Sequence, residues 1–441
     1  MHDRVLYQPH QVGAGRITMV VTPYMPVTDL KINSHRLKSD LEALAQIGAT
    51  QAGGVSRPAL SNEDLEARAW FANQIEDAGL FVRDDEVGNL SGVLPCPLPN
   101  APTLLVGSHL DTVPNGGIYD GALGVLAGLE CLRTIKECGI ALPCNLEVIN
   151  FTDEEGWWQS FFGSLGLSGA LEPHHISDAQ QDNAAFRAAL YRAGIRVSEV
   201  HRARRKPESL LGYLELHIEQ SSRLERAGIP IGVVSGVVGR STYIYTFYGE
   251  GTHAATTATE ERRDALQGAA AFILQMYEMS QRDYPEGVVN CGNIVVEPGT
   301  FNVIPALSSL RVECRHHDRQ ILAEMEARLV RLAQDIAREY RLSVNVQQVI
   351  RRDVAIMDEG YMQTIETVCN DLGLKHKRLV SYAGHDAQIL SPITPTAMIF
   401  IPSRDGISHN PKEYSTWEDI ENGANVLLHT MLRVAQGHIT D

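Results

Sequence analysis

The sequence predicts an α/β protein in which a mixed central sheet is flanked by helices and a smaller α+β sandwich is inserted into the larger domain. Three observations carry this. The chain has 441 residues, beyond the ~250–300 at which a single core stops growing. The stretch 103–151 reads strand, loop, helix, strand, the βαβ unit of a sheet with parallel strands. From Gly239 the order becomes strand, helix, two strands, helix, strand, which suits a small open-faced sandwich. These place the larger domain at 1–238 and 354–441 and the insert at 239–353.

Each element has a local reason. Leu37, Leu41, Leu44 and Ile47 fall at helical spacing, with Gly48 placed to end the helix. Ser61 followed by Asp64 resembles a capping box opening a second helix, which also ends on a glycine. TLLVG (103–107) and NLEVINF (145–151) are apolar runs of the kind buried on both faces, separated by a periodic helix. In the insert, STYIYTFY puts Tyr243, Tyr245 and Phe247 on one face of a strand. Helices at 261–281 and 319–340 and strands in GNIVV, LSSLRVECR and LSVNVQQVI complete it. A helix at 360–372, the strand AMIFI and a helix from Trp417 return the chain to the larger domain.

Composition narrows the function. Net charge is -16, which argues against nucleic acid or an anionic membrane as partner. An anionic small-molecule substrate would then need local Arg or Lys. The seven cysteines are scattered without a CxxC pair, so reduced thiols and a cytoplasmic location are expected. No apolar run reaches the ~20 residues of a membrane span. The first residues lack a basic start followed by a cleavable apolar core, and no signal peptide is expected there.

Hard or borderline metal ligands recur at strand ends and in loops: His109, Asp120, the run Asp153-Glu154-Glu155, His217 in LELHIEQ and His409 in GISHNP. Imidazole with carboxylate suits zinc first, with manganese, cobalt or nickel also accommodated. In α/β sheets, ligands gather at the carboxyl ends of strands, so the clusters after 109 and 151 should be neighbours.

The stretches GGVSRPALSNEDLEAR, GSHLDTVPNGGIYDGALGV, NFTDEEG, LELHIEQ, GTHAATTATEERRDAL, FNVIP with Arg315, AGHDAQ and IPSRDGISHNPKE occur in one order from about residue 33 to the end. Together they resemble the M20 metallopeptidase group, and within it the branch of N-carbamoyl-L-amino-acid hydrolases, β-ureidopropionases and allantoate amidohydrolases. The resemblance implies two divalent metal ions bridged by Asp120, with His109 and His217 on one and Glu155 and His409 on the other. Asp111 would accept the other ring N–H of His109, and Glu154 would be the general base. The insert would be a lid and homodimer interface. His253 would polarise the scissile carbonyl from across the dimer, and Asn302 and Arg315 would clamp a carboxylate. Gln220 would hydrogen-bond the ureido group, and His385 would line the pocket or stand behind a ligand.

The implied reaction is cleavage of the carbamoyl C–N bond of an N-carbamoyl amino acid or related ureido acid, releasing ammonia and carbon dioxide. An N-acyl amino-acid amidase or peptidase of the same fold is the alternative, which His217 and Gln220 argue against; a metal-binding relative without catalysis is the third reading. The chain departs from the family pattern at Trp157 and Trp158, Ala255, Ala258 and Ala306, all near the expected pocket or lid.

Overall fold

In the computed structural model, residues 29–172, 175–176 and 183–437 are described; the expectation for the N-terminal stretch lies outside them. Thirteen strands are present among these residues: β1 Phe81–Asp84, β2 Leu90–Leu94, β3 Thr103–His109, β4 Asn145–Phe151, β5 Leu210–Ile218, β6 Ile231–Val237, β7 Gly239–Tyr248, β8 Val288–Glu297, β9 Leu307–His316, β10 Ser343–Arg352, β11 Ala355–Ile356, β12 His376–Ser381 and β13 Thr396–Ile401. They form two sheets. The larger runs β1-β2-β4-β3-β5-β13-β6-β11, with β12 also paired to β6. Its centre is parallel (β4-β3-β5-β13) and its flanks include antiparallel pairs, so the sheet is mixed as expected.

The βαβ unit forms because its helix, Ala122–Glu137, is apolar almost all round and is buried between the sheet and the helix Trp417–Ala435. A helix of that composition is stable only when covered. The first helix stops at Leu44 rather than continuing to Gly48; the chain from Ala45 turns so that Ser56 N–H reaches the Gly48 carbonyl. Ser61 caps the second helix by accepting from the N–H of Asp64 at 3.1 Å.

The smaller sheet is antiparallel, in the order β10-β7-β9-β8. Tyr243, Tyr245 and Phe247 share the buried face with Leu310, Val312 and Cys314, against Phe272 and Met276 of the helix Ala265–Asp283 and Met325 and Leu329 of the helix Arg319–Glu339. Each large apolar side chain buried there contributes about 1.5–3 kcal/mol. Asp264 and Asp318 cap the two helices by accepting backbone N–H groups.

A buried ion pair ties β4 to the segment before β5. Arg205 makes a two-pronged contact with Glu147, Nη1 to Oε2 at 2.7 Å, with side chains 8% and 2% exposed. Burial alone would raise the Glu147 carboxyl, but Arg205 holds it below the ordinary range. Arg205→Ala strands the carboxylate and should cost about 3–5 kcal/mol in denaturant unfolding. Because the folded pKa is lowered, the wild-type contribution is present at neutral pH and fades as pH falls below the ordinary glutamate range. An unchanged unfolding midpoint in the variant would contradict this.

Candidate metal centre and active site

The parallel centre of the large sheet sets the site. His109 is the last residue of β3 and pairs with Phe151, the last of β4, after which Asp153, Glu154 and Glu155 follow. His217 lies one residue before the end of β5, opposite Phe400 of β13, and the chain leaving β13 carries His409. All four segments therefore open at the carboxyl end of adjacent strands, where an α/β sheet has its crevice.

Asp120 closes the arrangement. One carboxylate oxygen lies 3.1 Å from His217 Nε2 and 3.7 Å from His109 Nε2; the other lies 3.4 Å from His409 Nε2, which is itself 3.4 Å from Glu155. Two sets of three possible ligands result, His109-Asp120-His217 and Asp120-Glu155-His409, sharing Asp120. The loop returns to His109 only because residue 121 is glycine: its φ is 65°, and an added Cβ would sit 2.4 Å from the imidazole.

The surrounding bonds aim these groups. Nδ1 of His109 faces the backbone carbonyl of Asp111 at 2.9 Å, and Nδ1 of His217 that of Ile218 at 2.8 Å. A ring N–H given to a carbonyl fixes the ring's orientation and turns Nε2 toward Asp120, where that nitrogen becomes a metal ligand once it gives up its proton. This corrects the expectation for Asp111: its carbonyl, not its carboxylate, meets His109, because the ring lies beside the peptide at 2.9 Å while the carboxylate is 3.8 Å away. The carboxylate instead accepts from the N–H groups of Glu154 and Glu155. Asp153, at φ 55°, accepts from the N–H groups of Trp157, Trp158 and Gln159 and so folds the acidic loop rather than facing the cluster. Arg57, 1% exposed, donates to the carbonyls of Leu110, Leu44 and Ile47 and pins the turn after His109.

Counting protein charges alone, the site is strongly polarised. Burial, then the charge of Asp120, pushes Glu155 up to about 8, and burial with Asp386 and Glu155 holds Glu154 well above the usual range. Burial takes His109 down to about 4. It acts the same way on His217, but Asp120 outweighs it and lifts that ring to about 9. Hydrogen bonding to Asp120 lifts His409 to about 9. Several carboxylates with imidazole Nε2 atoms directed among them make a donor set that fits divalent cations, which would take the place of the ring protons.

A model described as peptidase family M20/M25/M40 matches residues 105–433. The chain belongs to this family. Within it the chain falls among the amidohydrolases. It is 37% identical over 408 residues to a protein of Geobacillus stearothermophilus named N-carbamoyl-L-amino acid amidohydrolase, covering 92% of this chain and 100% of that one. It is 32% identical to an allantoate amidohydrolase of Bacillus subtilis, covering 90% and 96%. A crystal structure of a hydantoinase/carbamoylase family amidase from Burkholderia multivorans superposes with a TM-score of 0.82 at 34% identity, over 92% of this chain and 99% of that one.

In this M20 chain the other expected residues fall in different places. Glu154 lines the cleft with Oε2 3.6 Å from His109 Nε2. Gln220, at φ 57°, also lines it, but its amide N–H₂ donates to Asp120 and Ser408, leaving its Oε1 buried without a partner among the described residues. His385 stands behind His217, ring centroids 4.6 Å apart, with Nε2 on Ser381 Oγ at 2.9 Å; it does not line the cleft. Arg315 does line it, bonded to Glu313 at 2.8 Å and the Tyr382 carbonyl at 2.6 Å.

His253 and Asn302 are not brought there. Both are exposed and adjacent, His253 bridging Val303 just beyond β7 while Asn302 precedes β9. Within one chain Asn302 lies before the start of β9 while Arg315 is next to its far end, and a ten-residue strand spans roughly 33 Å. The tryptophans also resolve. Trp158 stacks on Phe186 at 5.4 Å and donates to the Ala59 carbonyl, and neither Trp157 nor Trp158 lines the cleft.

Sequence reasoning missed Glu413, whose carboxylate accepts from the N–H groups of Tyr119 and Asp120 and from Ser408, holding the Asp120 segment in place. It lies in the quoted IPSRDGISHNPKE stretch, so the motif was its signal. Arg240 and Arg352, which also line the cleft, had none.

Proposed function

We propose that the chain is a binuclear metal-dependent amidohydrolase that cleaves the carbamoyl (ureido) C–N bond of an N-carbamoyl amino acid or related ureido acid. It is a hydrolase acting on C–N bonds other than peptide bonds. The observation that carries the finer reading is Asp120, one oxygen toward His109 and His217 and the other toward Glu155 and His409. Two divalent ions held there, zinc first and manganese, cobalt or nickel next, would acidify a water and polarise the ureido carbonyl.

The remaining work belongs to the chain. Glu154 takes a proton from water as its oxygen adds to the ureido carbon, then returns it to the departing nitrogen. One C–N bond breaks, and the carbamic acid left decomposes to carbon dioxide and the second amine. Gln220 Oε1 accepts an N–H of the ureido group. Arg315 holds the substrate carboxylate by a planar fork.

Residues 1–238 and 354–441 form the catalytic part in this reading and 239–353 the lid. The lid also joins two chains into a homodimer. Support comes from its exposed apolar side chains on and beside the edge strand β8, namely Leu274, Val288, Ile294, Val295 and Phe301. An edge with free backbone groups and apolar side chains is a pairing surface. His253 and Asn302 lie on this same side and would then serve the partner's cleft. Among the described residues no helix is long and apolar enough to cross a membrane. The seven scattered cysteines, without a CxxC pair, support a cytoplasmic location.

Ammonia release from a ureido acid tests the reaction. Arg315→Lys tests the clamp: a point charge replaces the fork, and KM should rise about tenfold or more with kcat much less affected. Substrate binding as tight as wild type would sink the clamp.

A further inference from the structure

The register of the smaller sheet places three arginines in one transverse row. Arg352 of β10 is directly opposite Arg240 of β7, and Arg240 is directly opposite Arg315 of β9. Residues directly opposite share a face, and all three line the cleft that holds Asp120, Glu154 and His217. Like charges facing each other across strands destabilise a sheet, so the row is costly unless something compensates it.

The protein supplies little compensation. Glu313 is the carboxylate in ion-pair contact with the row, 2.8 Å from Arg315 and 3.9 Å from Arg240. Arg352 has no such pair among the described residues, and its Nε is buried without a hydrogen-bond partner. Burial and Arg315 hold the Arg240 guanidinium below its ordinary range, and burial and Arg240 do the same to Arg352. A buried donor left unpaired is costly, more so when charged, and a ligand that pairs it recovers that cost.

We infer that Arg240 and Arg352 form a second anion subsite, so that the substrate is a ureido acid with two carboxylates, one on Arg315 and the other between Arg240 and Arg352. This rests on the proposed ureido reaction and narrows its substrate. An N-carbamoyl derivative of a short acidic amino acid, such as aspartate or glutamate, has this chemistry. A neutral side chain at the same position would leave Arg352 unpaired.

The test compares N-carbamoyl-L-aspartate and N-carbamoyl-L-glutamate with N-carbamoyl-L-alanine and N-carbamoyl-L-methionine at fixed ionic strength, using wild type, Arg240→Gln, Arg352→Gln and Arg352→Lys. Wild type should favour a diacid at least tenfold in kcat/KM. Either Gln variant should cut that preference tenfold or more, mainly through KM, and Arg352→Lys should restore part of it. A calorimetric titration of the same proteins with succinate and butyrate reads the subsite without turnover; succinate should bind at least tenfold tighter, and Arg352→Gln should erase the difference.

Efficient hydrolysis of the neutral pair with poor use of the diacids would overturn the inference and leave the ureido reaction standing. Equal loss for both classes in the Gln variants would overturn it as well. Selective succinate binding without hydrolysis of any ureido acid would support the subsite and refute the reaction.

Discussion

Glu154→Gln should leave the fold and metal content unchanged and lower kcat by about 10²–10⁴-fold, the range for loss of a positioned general base. The expectation follows from where the side chain stands. Glu154 lines the cleft, 3.6 Å from His109 Nε2, and belongs to neither ligand set built on Asp120. Its neighbours Asp111 and Asp153 hold the loop through backbone N–H groups, so an isosteric amide need not disturb it. Steady-state ammonia release with metal analysis of the same sample checks this. Wild-type turnover at full metal content would remove Glu154 from the mechanism.

Asp120→Asn should strip metal from both halves of the centre. The amide keeps the shape but removes the charge shared by His109, His217 and His409. Changing even the outer partners of a ligand costs about 10–100-fold in metal affinity, and loss of the bridging acid should exceed that. Elemental analysis after gel filtration should find both ions depleted, with turnover lost in parallel. Full retention of two ions would contradict the bridge, whereas loss of one alone would confine Asp120 to a single cluster.

The parts of this molecule legible in its sequence are those where local pattern and tertiary role agree. The insert's strand-helix order emerged because Tyr243, Tyr245 and Phe247 alternate cleanly and its helices are long and capped. Strands β1, β2, β6, β11 and β12 gave no such signal: they are short, glycine-containing or polar, and their pairing is decided by neighbours distant in the chain. The ligand residue types were visible as motifs, and the glycine at 121 explained itself once the loop was seen beside His109. Which atom of Asp111 meets the ring was not visible, since that depends on ring orientation rather than residue type. Nor was the separation of Asn302 from Arg315, which are close in sequence but have nearly the whole of β9 between them. The arginine row was least accessible, because Arg240, Arg315 and Arg352 converge only through cross-strand register.

The most direct measurement is ammonia release by metal-reconstituted protein from N-carbamoyl amino acids, N-carbamoyl-β-alanine and allantoate, with amine release from N-acetyl amino acids as the contrast. Ammonia should appear from at least one ureido acid, abolished by chelation and restored by zinc, manganese, cobalt or nickel. Free amine from the N-acetyl compounds alone, with every ureido acid untouched, would contradict it.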